Sequence, residues 1–326
     1  MKRLDGLRRM PRLTLVVVVI GLFLVAAAVA LAAAPPNLTF TPNSEGQITN
    51  IDVLRQQIKN YYGDSTASTG SSATGGWTHP LSLESNYADE ARSVAKQGSD
   101  WLAARSKVPS RAIVLDVDDT TLTTWNYELF SNWDFNAGTN ANFVGLTTSG
   151  SPPVTTFTGN MFPATPGMVD MVGDAKTVGY AIFWITGRGD SQHAATIANL
   201  VNDTVAGFSN IDTVTLSGKT VPEIDAGYVV PTPLDTGHGG FSDGLFTKPP
   251  VGSYPAYLDK PEFCGPYIHA IPAVSCPTIQ YKSGTRAYIE SQGYDIVADF
   301  GDQFSDLEGG FADKTFKMPN PNYYLP

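Results

Sequence analysis

The sequence predicts an α/β fold built on a doubly wound parallel sheet. Short apolar runs at 112–115, 180–185 and 294–300 are rich in branched and aromatic residues, as buried strands are. Stretches with apolar residues at helical spacing lie between them. Two of the runs are followed by acidic residues, Asp116 at once and Asp302 after Gly301. Strand and helix in alternation imply parallel pairing through right-handed crossovers, with helices on both faces.

Residues 1–34 stand apart from this pattern. Lys2, Arg3, Arg8, Arg9 and Arg12 precede an apolar run over 13–34 that ends in Ala32-Ala33-Ala34. This describes an export signal, and the run is also long enough to serve as a membrane anchor if it is retained. The chain is therefore expected at the cell surface, in the periplasm or secreted, touching a membrane only through 13–34. Residues 35–47 read as a linker. The spacing of Ile51, Leu54, Ile58 and Tyr61 predicts a helix over 48–62. Residues 65–76 are a low-complexity loop. Ala91, Val94, Trp101 and Leu102 predict a second helix over 87–106. The segment 48–108 is expected to brace the sheet.

Further helices are expected over 166–178, 191–208 and 284–292. Two irregular stretches interrupt the alternation. Residues 129–163 are rich in Asn, Thr, Gly and aromatics, and 209–278 are rich in Pro and Gly. Loops this long are uncommon without a function, so the first reads as a cap and the second as a long pocket wall. One domain over 48–326 would hold all of these.

The composition narrows the function. The chain has 326 residues, 42% hydrophobic and 16% charged, which suits a full core. A formal net charge of -10 makes a nucleic acid polymer a poor partner. A small phosphorylated molecule remains compatible, because a bound metal reverses the local field. The two cysteines, Cys264 and Cys276, are expected to form a disulfide in an exported chain. His79, His193, His238 and His269 show no ligand spacing and read as structural.

Asp116 and Asp118 sit two apart beyond the run at 112–115, where open α/β sheets place ligands. Crowded carboxylates are costly unless a cation neutralises them, and oxygen donors favour a hard divalent ion such as Mg²⁺. An EF-hand calcium loop is excluded, since its sixth position is Thr121 rather than Gly and its twelfth Tyr127 rather than Glu. A carboxylate beside a metal can also act as a covalent nucleophile. Three further motifs follow in order: Thr186-Gly187-Arg188-Gly189-Asp190, Lys282 within YKSGTR, and GDQFSD at 301–306.

The order of these motifs resembles the haloacid dehalogenase (HAD)-like superfamily. The segments LDVDDTTLTTWNYE, YKSGTRAYIE and GDQFSDLEGG are similar to its acid phosphatase branch, subfamily IIIB, which includes class B-like acid phosphatases and plant vegetative storage proteins. The resemblance implies a Rossmann-like sheet and an exported, Mg²⁺-dependent acid phosphatase that hydrolyses small phosphomonoesters through an aspartyl-phosphate. A storage or binding protein with little catalysis, or a phosphotransferase, are the alternatives.

The resemblance also implies roles. Asp116 would attack phosphorus. Asp118 would protonate the leaving alcohol and then activate water, helped by repulsion from Asp116 and Asp119. Thr186 and Gly187 would bind the phosphoryl group at a helix start, and Lys282 would offset its charge. Mg²⁺ would be held by Asp116, the Asp118 backbone carbonyl and Asp302. Asp306 would act through water or fix Lys282. Arg188 would touch the substrate or cap its loop. The charge of Asp299, inside a strand, has no assigned role. Trp125, Tyr127, Trp133 and Phe135 would mostly pack, with one or two free to stack on a substrate ring.

Overall fold

The computed structural model describes residues 41–64, 81–105, 108, 110–144, 146–149, 154–157, 162–201, 215–216, 219–220, 227–229, 231–234 and 243–325. It divides into two compact units, Met1–Ile48 and Thr49–Pro326. The described part of the first holds one short turn of 3-10 helix, Glu45–Gln47. The expected signal or anchor, the low-complexity loop at 65–76, the end of the 191–208 helix, His79 and His238 lie outside the described residues. No helix among the described residues is long and apolar enough to cross a membrane.

The second unit bears out the α/β reading. Strands β1 (Arg111–Leu115), β4 (Ala181–Gly189), β7 (Leu245–Lys248), β8 (Asp295–Gly301) and β9 (Thr315–Lys317) form a five-stranded sheet in the order β7-β4-β1-β8-β9. Every pairing in it is parallel. Two antiparallel hairpins lie apart from it, β2 (Leu146–Ser149) with β3 (Val154–Phe157) and β5 (Thr215–Leu216) with β6 (Lys219–Thr220). The helices are α1 (Ile51–Tyr61), α2 (Asn86–Ala103), α3 (Trp125–Ser131), α4 (Ala137–Val144), α5 (Met168–Val178), α6 (His193–Val201), α7 (Gly265–Ile268), α8 (Thr278–Ser291) and α9 (Phe304–Leu307).

Strand alternation splits the core between the two faces of the sheet. Ile113, Leu115, Ile182 and Trp184 pack under α2 and α5 through Ala91, Ala95, Met171 and Val172. Ala112, Val114, Phe183 and Ile185 point the other way, against Tyr281 and Ile289 of α8. The helix starts have local causes. The Asn50 side chain accepts the N–H groups of Asp52 and Val53, and Ser85 accepts that of Ala88. Gly179 ends α5 with φ of 103°, a left-handed conformation that glycine adopts freely.

Several expectations need correction. Helix α1 braces the molecule only through its C-terminal end, where Ile58 and Tyr62 join Tyr87 and Trp125. Its Ile51 and Leu54 are exposed. Strand β7, inside the expected irregular stretch 209–278, forms an edge of the main sheet; four residues among Pro and Gly give too short a pattern to read. Helix α8 starts at Thr278 rather than at 284, so Lys282 lies inside it, not ahead of it. Strand β4 runs on through Gly189, so Thr186-Gly187-Arg188 belongs to a strand and not to a helix start. Cys264 and Cys276 form the expected disulfide.

Register positions the site. Leu115 pairs with Trp184 on one side and with Phe300 on the other. The next residues of β1 and β8, Asp116 and Gly301, therefore reach the carboxyl edge together. The Asp116 N–H donates to the Phe300 carbonyl at 2.9 Å, which holds the first acidic residue at that level. The contact of α2 with the sheet is equally close, because a Cβ built on Gly98 meets the Phe300 ring at 2.6 Å. Phe300 is fully buried and stacked on Phe316, so it cannot yield. Gly98→Val is predicted to destabilise the protein by about 1–3 kcal/mol in chemical denaturation. An unchanged unfolding midpoint would contradict this packing.

Candidate active site

Four segments converge at the carboxyl edge of the sheet: the turn after β1, the end of β4, the start of α8 and the turn from β8 into α9. They surround a cavity of about 330 Å³ whose lining includes Asp116, Asp118, Gly187, Arg188, Lys282 and Asp302. Asp116, Asp302 and Asp306 each offer a carboxylate oxygen, and these oxygens lie within 4.8 Å of one another. Lys282 Nζ donates to Asp116 Oδ1 at 2.5 Å and to Asp306 Oδ1 at 2.7 Å. All four side chains are buried.

The charges do not balance. Among the described residues one ammonium, Lys282, pairs with two of the three carboxylates, which leaves a surplus of two negative charges if all ionise. Burial opposes the charge on Lys282, but Asp116 and Asp306 more than restore it, so Lys282 stays protonated. Burial pushes Asp116 up, Lys282 pulls it down, and Asp306, Asp302 and Asp118 push it up again. Asp302 is raised to about 7, first by burial and then by Asp306 and Asp119. The donor set is all oxygen and the deficit is two charges, so the residues fit one hard divalent cation.

Each carboxylate is aimed by its neighbours. Asp302 accepts from Thr120 Oγ1 at 3.1 Å, Gln303 Nε2 at 2.6 Å and Asn320 Nδ2 at 2.7 Å. Asp306 accepts the Gln303 N–H at 2.8 Å, forming a capping box at the start of α9. Gly301 lets it approach, since a Cβ there would overlap the Asp306 side chain. Asp119 takes a left-handed φ of 50° and turns inward, accepting from Thr124 N at 2.9 Å and Thr124 Oγ1 at 2.5 Å. Its carboxylate ties the turn and does not join the group of Asp116, Asp302 and Asp306.

Asp118 differs from its expected setting. Its carboxylate lies outside the group of three and is gripped by Arg188, through Nη2 to Oδ1 at 2.6 Å and Nε to Oδ2 at 3.0 Å. That fork sets a positive charge beside Asp118, against the repulsion it shares with Asp116 and Asp119. Arg188 lines the cavity and also holds Asp118. Thr186 is fully buried, and its Oγ1 accepts the Arg188 N–H at 3.1 Å. It stands behind Gly187 and Arg188, which line the cavity.

Other side chains around the cavity carry no role in the sequence reading. Glu128, Gln303 and Tyr323 line it, and Asn320 orients Asp302. The tail holding Asn320 and Tyr323 follows β9 and is tied down by Leu325 N–H to Gln303 Oε1 at 2.9 Å. A run of Asn and Tyr just after a strand is the sequence signal that points to such a strap. Of the four aromatics, Trp125 packs against Tyr62, while Tyr127, Trp133 and Phe135 line the cavity. Of the described residues of 209–278, where a wall was expected, Thr278 lines it. His193 pairs with Asp243 at 2.9 Å and His269 with Asp259 at 2.7 Å, in keeping with structural roles.

The buried acids predict a pH dependence. Burial is the main cause in each case, raising Asp119 and Asp299 to about 6, Asp302 to about 7 and Glu128 to about 8. Unfolded carboxyls lose their protons near pH 4, so between there and about 8 the native state holds more protons than the unfolded state. Stability in chelator must then fall as pH rises. A thermal midpoint that drops between pH 5 and pH 8 is the expected result; one that rises over this range would contradict it.

The sequence matches a family of known proteins. Residues 81–224 and 275–326, more than half of the chain, match the family model for the HAD superfamily, subfamily IIIB (Acid phosphatase). Stem 28 kDa glycoprotein of Glycine max is 49% identical over 49 residues, 14% of this chain and 19% of its own length. Vegetative storage protein 2 of Arabidopsis thaliana is 44% identical over 48 residues, 15% of this chain and 18% of its own length. These matches thus span under a fifth of those relatives. Acid phosphatase 1 of Solanum lycopersicum is 22% identical over 213 residues, 65% of this chain and 58% of its own length. Among solved structures, the class C acid phosphatase of Bacillus anthracis superposes with a TM-score of 0.40 at 18% identity, over 73% of this chain and 80% of that one. The chain belongs to subfamily IIIB of the HAD superfamily, the acid phosphatase subfamily.

Proposed function

We propose that the chain is an exported, Mg²⁺-dependent acid phosphatase that cleaves small phosphomonoesters through an aspartyl-phosphate on Asp116. The observation that carries this reading is Asp116 itself, a buried carboxylate at a cavity wall, 2.5 Å from the Lys282 ammonium. Asp116 is intact, which favours an enzyme over a storage protein on the same fold.

In this reading an Asp116 carboxylate oxygen attacks phosphorus, and the bond from phosphorus to the ester oxygen breaks. The leaving alkoxide takes a proton from Asp118, which then removes one from water. That water attacks phosphorus, breaks the bond to Asp116 and releases phosphate. An alcohol in place of water would give phosphotransfer. Lys282 balances negative charge at the phosphoryl oxygens, and Asp306 holds it there. Gly187 leaves room for the phosphoryl group between β4 and α8.

Asp116, Asp302, the Asp118 carbonyl and Asp306, directly or through water, would hold Mg²⁺. When bound, the ion neutralises the surplus charge and polarises the phosphoryl oxygen. Export is supported by the apolar segment 13–34 and by the disulfide between Cys264 and Cys276. Residues 48–326 would form the phosphatase domain, with 129–163 as the cap that supplies Trp133, Phe135 and Asn140 to the cavity.

Asp116→Asn should lower kcat by about a thousandfold or more while the near-ultraviolet circular dichroism is unchanged. Turnover near the parent rate would refute the nucleophile. Chelation should abolish activity and Mg²⁺ should restore it; full activity in chelator would remove the metal from the account.

A further inference from the structure

Glu128 sets one wall of the cavity apart. It lies on α3, is 7% exposed and faces the same cavity as Asp116 and Asp118. Every other acid of the cluster has a donor: Lys282 serves Asp116 and Asp306, Arg188 serves Asp118, and Thr120, Gln303 and Asn320 serve Asp302. Among the described residues none donates to the Glu128 carboxyl or pairs with it. Burial, then Asp119 and Asp118, push it up to about 8. A buried carboxyl without a partner is costly, and a ligand cation would relieve that cost.

The ligand's chemistry follows from position. The divalent cation belongs with Asp116 and Asp302, so a second cation must arrive with the substrate. Asp118, the proposed proton donor to the leaving alcohol, lines the same cavity as Glu128. Glu128 therefore stands on the leaving-group side. Tyr127, Trp133 and Phe135 line the same cavity, and aromatic faces also attract cations. Resting on the phosphatase reading above, we infer that this wall is a subsite for an ammonium group, so that the preferred substrates are phosphomonoesters of amino alcohols.

The test compares O-phosphoethanolamine with n-propyl phosphate, which has similar size and no positive charge. Calorimetry on the full chain with Mg²⁺, in an Asp116→Asn background that spares both esters, gives the two Kd values. The ammonium ester should bind at least about tenfold more tightly. Adding Glu128→Gln should bring the two within about twofold by weakening only the ammonium ester. Equal Kd values without Glu128→Gln, or equal weakening of both esters with it, would overturn the subsite. If that variant fails to fold, the ratio of Kd values in the Asp116→Asn background decides alone. Turnover by the unmodified enzyme separates the two proposals. Equal kcat/KM for both esters removes the subsite and keeps the phosphatase, while tenfold tighter binding of the ammonium ester with no turnover of either does the reverse.

Discussion

Three buried carboxylates around one ammonium form the constraint on which the rest of the site depends. Asp116, Asp302 and Asp306 come from two strand ends and a short helix, and among the described residues Lys282 pairs with Asp116 and Asp306. Water cannot screen charges buried this deeply, so the surplus must be met by protons or by a divalent ion. The choice between the two couples pH, metal and stability in one place. A phosphate ester carries further negative charge to the same point, which a site without a metal would repel.

Much of the surrounding structure holds this charge in position. The common register of β4, β1 and β8 sets the level of the acidic residues. Arg286 of α8 binds the loop after α9 from below, donating to the carbonyls of Asp306, Glu308 and Gly310. Its Nη1 also lies 2.9 Å from Asp299, which accounts for a charge inside strand β8. The tail after β9 closes the other side through Asn320. On the leaving-group side the pattern changes, since Arg188 pairs with Asp118 and Glu128 has no counter-charge among the described residues.

Strands β1, β4 and β8 were legible because a parallel sheet buries both faces and leaves unbroken apolar runs. The acidic motifs were legible for the same reason, as carboxylates directly after such runs have few structural uses. Arg188 was seen as a motif residue, but its partner was not, because 70 positions separate it from Asp118. Glu128 closes the segment LDVDDTTLTTWNYE, yet nothing local distinguishes a buried helical Glu from a solvated one. Strand β7 was hidden by its length, and the N-terminal half of α8 by Lys282, Ser283 and Gly284, which are buried although polar or small. Burial of that kind is decided by tertiary packing and leaves no periodic trace.

The central claim is that these dispersed carboxylates make one divalent-cation site. Anomalous diffraction from crystals of the protein grown with Mn²⁺ in place of Mg²⁺ tests it most directly. The account predicts a single strong peak within coordination distance of Asp116 and Asp302, lost in Asp302→Asn. A peak elsewhere, or no peak at saturating metal with an ordered cavity, would contradict it.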